Sequence, residues 1–175
     1  MISKTTDIET LHSAAEIHAR IEQLGRDIRQ DAGDREICLV GILKGALVFL
    51  ADLLRCIPGP VHYEFIDVIR DISDTEVAEA MEIDFLTHFS IEGKYVYLLK
   101  DVVSTGVIET WLTNQLRQRN PASIRMVALL DRPEQRTVDF DVDFAAFRAR
   151  DGVYAGFGLE YEGHEGNLPF IGRII

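Results

Sequence analysis

Basic residues and cysteines are scarce in this sequence. Lysine and arginine total 18 against 29 aspartates and glutamates, which gives a formal net charge of −11. This balance argues against a sequence-independent nucleic-acid or membrane surface, because phosphate-rich partners need a basic face. Cys38 and Cys56 lie in apolar runs without paired spacing. We therefore interpret them as reduced core residues of a cytoplasmic protein, rather than as a redox or metal site.

Long hydrophobic runs are also missing. The longest, residues 46–54, is interrupted by Asp52 and is too short to cross a bilayer. The first nine residues are polar and acidic, so no secretory signal is expected there. With 175 residues, of which 47% are hydrophobic, the chain fits one domain spanning residues 1–175 with a sizeable core.

The apolar pattern alternates between helical and strand-like segments. Apolar residues recur every three or four positions over residues 13–31, which predicts an amphipathic helix with His12 and His18 on its exposed side. Further helices are predicted over residues 46–54 and around Trp111. Runs of apolar or branched residues predict strands at 37–43, 61–69, 81–89, 95–99, 124–130, 142–147 and 153–155.

This order predicts an α/β fold with a mostly parallel twisted sheet and helices on both faces. Three polar loops follow apolar strands, at residues 43–46, 100–108 and 131–133. Ligands of such sheets bind beyond the carboxyl ends of the strands. If the three strands are neighbours, the loops form one crevice of nucleotide size.

The central loop, Ser104-Thr105-Gly106, lies between a strand and a predicted helix. Backbone N–H groups at a helix start, together with two hydroxyls, are suited to holding a phosphate. The alternative is an ordinary strand–turn–helix connection in which Ser104 is the N-cap. The carboxylates of Asp139, Asp141 and Asp143 alternate like those of a strand edge, so we interpret them as solvent-facing rather than as a calcium site.

Several motifs resemble the type I phosphoribosyltransferases, specifically their hypoxanthine-guanine branch. They occur in order over almost the whole chain: Leu43-Lys44-Gly45-Ala46, Lys100-Asp101-Val102-Val103-Ser104-Thr105-Gly106, Leu130-Asp131-Arg132-Pro133-Glu134, Gly158-Leu159-Glu160-Tyr161 and Asn167-Leu168-Pro169. The resemblance implies the fold of that family, with a small hood built from the chain ends.

The resemblance also implies site residues. The 5′-phosphate would be held by Ser104, Thr105, Gly106, Val107 and Ile108, and the pyrophosphate by Lys44 and Gly45. Lys100 and Asp101 would lie at the ribose. Arg132 would read the purine oxygen, and either Val153 or Tyr154 would stack on the base. Asp101 and Glu160 would face Mg²⁺, and Asp101 and Ser104 occupy the positions of the family's catalytic acids.

The implied partners are phosphoribosyl diphosphate and a purine base or purine nucleoside monophosphate, in a homodimer or homotetramer. Four positions depart from the family's pattern, however. Lys100 and Ser104 replace acidic residues, Ile108 replaces a hydroxyl residue, and Gly166 replaces a pyrophosphate-binding arginine. The expected lid, residues 70–80, lacks the family's Ser-Tyr pair. The chain is therefore expected to be either a phosphoribosyltransferase of weak activity or a nucleotide-binding relative without efficient transfer.

Lys100 leaves two possibilities open. Its ammonium could supply positive charge near the ribose hydroxyls, where the family uses a metal. It could instead only pair with Asp101 or with a carboxylate of the lid.

Overall fold

The computed structural model of the chain describes residues 7–70, 81–85 and 89–175. The helices within these ranges are α1 (Ala14–Ala32), α2 (Ala46–Cys56) and α3 (Val107–Arg117), with a short 3₁₀ helix at Pro133–Gln135. The strands are β1 (Ile8–His12), β2 (Ile37–Ile42), β3 (Val61–Arg70), β4 (Met81–Phe85), β5 (Tyr95–Val103), β6 (Ser123–Asp131), β7 (Phe144–Arg148), β8 (Tyr154–Ala155) and β9 (Ile171–Ile174).

Six strands form the main sheet in the order β4-β3-β2-β5-β6-β7. Neighbouring strands are parallel except β3 and β4, which pair antiparallel. The predicted α/β class with a mostly parallel sheet is confirmed. Strands β2, β5 and β6 are adjacent, so the polar loops at their carboxyl ends lie side by side, as the sequence predicts.

The sheet is covered on both faces, which explains why its central strands are apolar throughout. Helices α1 and α2 pack on one face against Leu39, Tyr97 and Val127. Helix α3 covers the other face, where Leu112 packs with Val40 and other residues of the central strands. Cys38 is fully buried on this second face, and burial raises the pKa of its thiol to about 11. It is a core residue, as predicted.

A second, antiparallel sheet of order β1-β9-β8 joins the two ends of the chain. It forms the predicted hood, although the sequence pattern revealed neither β1 nor β9. The placement of His12 on the first helix is wrong, because His12 ends β1 and its ring stacks on Phe147 with 3.8 Å between ring centroids. Burial lowers the pKa of His12.

Other differences from the predicted elements are local. Ser13 precedes α1 as its N-cap and forms a capping box with Glu16. Residues 139–143 form no strand. Asp139 and Asp141 are exposed as predicted, whereas the carboxylate of Asp143 pairs with Arg125 at 3.0 Å and accepts from the backbone N–H of Met126 at 2.7 Å. Among the helices that the structure describes, none is long and apolar enough to span a membrane.

Candidate functional site

The loop between β5 and α3 opens at the carboxyl edge of the sheet. Gly106, not Ser104, is the N-cap of α3, and it has the left-handed φ of 82° that glycine adopts without strain. A Cβ at this position would lie only 3.0 Å from the Cβ of Phe140. Val107, the first helical residue, is exposed, and its backbone N–H donates to Thr105 Oγ1 at 3.4 Å, so the start of α3 lies beside the Thr105 hydroxyl. A helix start of this kind favours an anion.

Arg136 positions this loop through hydrogen bonds to its backbone carbonyls, a role that the sequence analysis missed. Its Nη1 donates to the carbonyl of Val103 at 3.0 Å and to that of Ser104, and its Nε donates to the carbonyl of Phe140 at 3.0 Å. Its Nη2 pairs with Asp131, and the side chains of Arg136 and Asp131 are only 13% and 10% exposed. The loop carbonyls therefore face inward on the guanidinium. Spacing alone gives no signal for such a contact between two loops.

The first polar loop meets the central loop through Gly45. A Cβ on Gly45 would overlap the Asp101 carboxylate, so glycine permits this close approach. Asp101 Oδ1 accepts a hydrogen bond from the backbone N–H of Val102 at 2.8 Å. The Nζ of Lys100 lies 3.2 Å from the same oxygen. The structure therefore contains the pairing of Lys100 with Asp101 that was one of the two possibilities.

Lys44 reaches the tail of the chain. The peptide bond between Leu43 and Lys44 is cis. The Nζ of Lys44 lies 2.7 Å from Glu160 Oε2, and the lysine side chain is largely exposed. Glu160 packs next to Gly166, where a Cβ would lie 3.1 Å from the glutamate Cγ. Two residues that the resemblance assigns to pyrophosphate and metal are thus joined in one ion pair.

Arg132 and Tyr154 form the other end of the crevice. The guanidinium carbon of Arg132 lies 5.8 Å from the Tyr154 ring centroid, within the range of a cation–π contact. Val153, the other candidate for stacking on a base, is 51% exposed. The backbone N–H of Arg132 donates to the carbonyl of Val103 at 2.9 Å, which ties this end to the central loop.

The carboxylates expected to face Mg²⁺ do not form a metal site of the protein alone. Asp101 is paired with Lys100, and Glu160 with Lys44. Among the described residues, no group of three or more histidine, cysteine, aspartate or glutamate side chains is arranged to hold a metal ion. Mg²⁺ usually binds through one or two carboxylates together with substrate phosphates. Asp101 and Glu160 could each supply one carboxylate to an ion held mainly by phosphate oxygens, and they do not fit a resident ion.

The remaining predicted positions are only partly tested. Ile108 lies in the first turn of α3, half-buried, and offers no hydroxyl to the loop. The lid expected at residues 70–80 lies, apart from the end of β3, outside the described residues.

Comparison with known proteins identifies the family. The family model for the phosphoribosyl transferase domain matches residues 7–162. The chain belongs to the phosphoribosyltransferase family. Within it, the chain falls in the hypoxanthine-guanine branch of the type I enzymes. It is 34% identical over 173 residues to hypoxanthine-guanine phosphoribosyltransferase of Bacillus subtilis, covering 96% of this chain and 94% of the relative.

The structural neighbours agree with this placement. A hypoxanthine-guanine phosphoribosyltransferase of Bacillus anthracis superposes with a TM-score of 0.85 at 30% identity, covering 97% of this chain and 99% of that one. Hypoxanthine phosphoribosyl transferase of Trypanosoma cruzi gives a TM-score of 0.87 at 29% identity, covering 100% of this chain and 95% of that one. The α/β fold with its hood is thus the fold of this branch.

The contacts of Arg136 predict that Arg136→Lys weakens phosphate binding while the protein stays folded. Lysine keeps the positive charge opposite Asp131, but its three N–H donors cannot serve Asp131 and three carbonyls at once, whereas the guanidinium has five. We expect the Kd for ribose 5-phosphate, measured by titration calorimetry, to rise by about tenfold or more, in line with the loss of two hydrogen bonds of about 1 kcal/mol each.

Arg26→Lys is the matched control, because Arg26 is exposed on α1 and donates only to Gln23 within the described residues. Equal affinities of Arg136→Lys and Arg26→Lys would contradict the positioning role of Arg136.

Proposed function

We propose that this protein transfers the phosphoribosyl group from phosphoribosyl diphosphate to a 6-oxopurine, hypoxanthine or guanine. A bond forms between N9 of the base and C1′ of the ribose, while the bond from C1′ to the diphosphate oxygen breaks and pyrophosphate leaves. The observation that carries the proposal is the convergence of three loops at the carboxyl ends of β2, β5 and β6 in a chain of this family.

The proposed roles follow from the contacts of each loop. The 5′-phosphate would lie at the start of α3 against the backbone N–H groups of residues 104–108, whose carbonyls Arg136 holds away from the ligand. The diphosphate would lie at Lys44 and Gly45, and the ribose hydroxyls at Lys100 and Asp101. Because Gly45 touches the Asp101 carboxylate, these two subsites are adjacent. The base would lie between Arg132 and the side of Val153 and Tyr154.

Three features favour slow transfer. A serine hydroxyl at position 104 does not titrate near neutrality, so it cannot exchange a proton with the base as a carboxylate would. Gly166 provides no cation for the leaving pyrophosphate, whose developing charge is a major part of the barrier. Lys44, the remaining cation there, is held by Glu160 at 2.7 Å and must be released before it can contact the diphosphate.

A second candidate function is nucleotide binding without efficient transfer, as a sensor or partner subunit. The ion pairs of Asp101 and Glu160 with lysines favour it, because each neutralises a carboxylate that would otherwise face the metal of the substrate. In both cases the proposed ligand is a purine nucleotide or its precursors. The proposed protein is a homodimer or homotetramer in the cytoplasm. Mg²⁺ would enter with the diphosphate.

A transfer assay separates the two candidates. Purified protein with Mg²⁺ and phosphoribosyl diphosphate would be offered hypoxanthine, guanine, xanthine and adenine separately, and nucleotide and pyrophosphate would be quantified. We expect product with hypoxanthine or guanine, lost in Lys44→Ala and Asp101→Ala. No product, with nucleoside monophosphates still stabilising the protein against heat, would replace the enzyme proposal by the binding one.

Restoring a carboxylate at position 104 should raise the rate. If the missing proton transfer limits turnover, Ser104→Asp should increase kcat, up to the roughly 10²–10⁴-fold that general acid–base catalysis contributes. Ser104→Asn is the matched control, since it has the same shape without a titratable group. An equal kcat for Ser104→Asp and Ser104→Asn would show that another step limits the reaction.

Lys100 should make nucleotide binding independent of metal. The ammonium lies beside Asp101 and would supply the positive charge next to the ribose hydroxyls. We expect the Kd for inosine monophosphate to be the same in Mg²⁺ and in a chelator, and binding in the chelator to be lost in Lys100→Glu. A wild-type protein that binds only with Mg²⁺ would contradict this role.

A further inference from the structure

A polar groove of about 410 Å³ lies between helix α3 and residues 139–143, and the start of β6 also lines it. Its volume is within the range of small-molecule sites. The groove shares no residue with the three polar loops at 43–46, 100–108 and 131–133. It is therefore separate from the crevice at the carboxyl edge of the sheet.

One wall of the groove presents carboxylates. It is anchored at its end, where Asp143 pairs with Arg125 at 3.0 Å and accepts from the backbone N–H of Met126 at 2.7 Å. Asp139 and Asp141 also line the groove and are exposed. Neither forms a hydrogen bond or an ion pair through its side chain with any residue that the structure describes. This wall therefore offers two carboxylates that are free to pair with a ligand.

The other wall is a stripe of α3 at helical spacing, made of Thr110, Thr113, Asn114 and Arg117. The only polar contact of the Arg117 side chain with described residues is from its Nη1 to Asn114 Oδ1, at 3.2 Å. Thr113 is only 7% exposed, and its hydroxyl has no hydrogen-bond partner in the described ranges. Buried hydroxyls are normally paired, so Thr113 is available to a group that enters the groove.

Arg117 forms no ion pair with Asp139 or Asp141, although all three residues line the same groove. Opposite charges thus share this space without neutralising each other directly. A ligand that pairs with all of them needs two cationic groups for the carboxylates and one carboxylate for the guanidinium. This is the charge pattern of a basic α-amino acid, such as lysine, arginine or ornithine.

Other charged ligands match the groove less well. The aspartates are not among any group of described residues arranged to hold a metal ion. A diamine would leave Arg117 unpaired, and a phosphate would be repelled by Asp139 and Asp141. The net charge of −11 on the chain also attracts a ligand with a net charge of one positive unit.

We infer that the groove between α3 and residues 139–143 is a binding site for a basic α-amino acid. The α-ammonium and the side-chain cation would pair with Asp139 and Asp141. The carboxylate would accept from Arg117 and from the Thr113 hydroxyl. The inference goes beyond the proposed function and does not depend on it, because none of these residues belongs to the crevice.

L-Lysine and two analogues, each lacking one charged group, test the site. Cadaverine is lysine without the carboxylate, and L-norleucine is lysine without the side-chain ammonium. Nuclear magnetic resonance titration of the isotope-labelled full chain would give the Kd of each. We expect L-lysine to bind about fivefold more tightly than either analogue, the factor for an exposed ion pair at the strong end of its range. The amide signals of residues 110–117 and 139–143 should shift.

Variants on the two walls should have different effects. Arg117→Gln should weaken L-lysine about fivefold and leave cadaverine unchanged, whereas Asp141→Asn should weaken both ligands. Arg26→Gln is the matched control, because Arg26 is exposed on α1 and donates to Gln23, three residues before it, as Arg117 donates to Asn114. This control should bind L-lysine as the wild type does.

The absence of a saturable titration with L-lysine would overturn the site. Cadaverine that binds as tightly as L-lysine, or an Arg117→Gln variant that binds L-lysine as the wild type does, would overturn the assignment to an amino acid. Signals that shift at residues 43–46 and 100–108 instead would place L-lysine in the crevice and also overturn the inference.

Discussion

The ion pair between Arg136 and Asp131 is the contact on which the candidate site depends. Both side chains are nearly buried, and burying two charges is favourable only when further hydrogen bonds satisfy them. Here the guanidinium also donates hydrogen bonds to the carbonyls of Val103, Ser104 and Phe140. One side chain therefore joins the end of β6, the central loop and the segment that packs on Gly106. A guanidinium, with donors in a fixed plane, is suited to this arrangement in a way that an ammonium is not.

The charges in the crevice beside this ion pair differ from those that the family resemblance implies. Lysines neutralise both carboxylates that would face a metal, and an exposed lysine is the cation left near the proposed diphosphate subsite. On the proposed function, with Ser104 in place of an acid and Gly166 in place of an arginine, the crevice would keep groups that bind a phosphorylated ribose and would lack groups that stabilise charge during transfer. This combination connects the two candidate functions, because each is one outcome of the same substitutions.

Much of the fold could be predicted from the sequence. Apolar runs such as Ile37–Ile42 are continuous because both faces of a parallel sheet are covered, and that pattern is local. The hood was expected from resemblance, but β1 and β9 were not located. Strand β1 has a mostly exposed pattern and exists because it pairs with β9, so short-range periodicity contains no signal for it. Likewise the sequence left Ser104 open as a possible helix cap, whereas Gly106, with its left-handed backbone, is the N-cap.

The sequence by itself determined the fold class and the three polar loops, because these depend on residue type and on spacing along the chain. Only the tertiary structure decided which charges meet. The pairing of Lys44 with Glu160, the contact of Gly45 with Asp101 and the hold of Arg136 on the central loop all join segments distant in sequence. Hydrogen bonds and ion pairs act over only a few ångströms, so these contacts depend on the order of the strands in the sheet. A local pattern of residues does not contain that order.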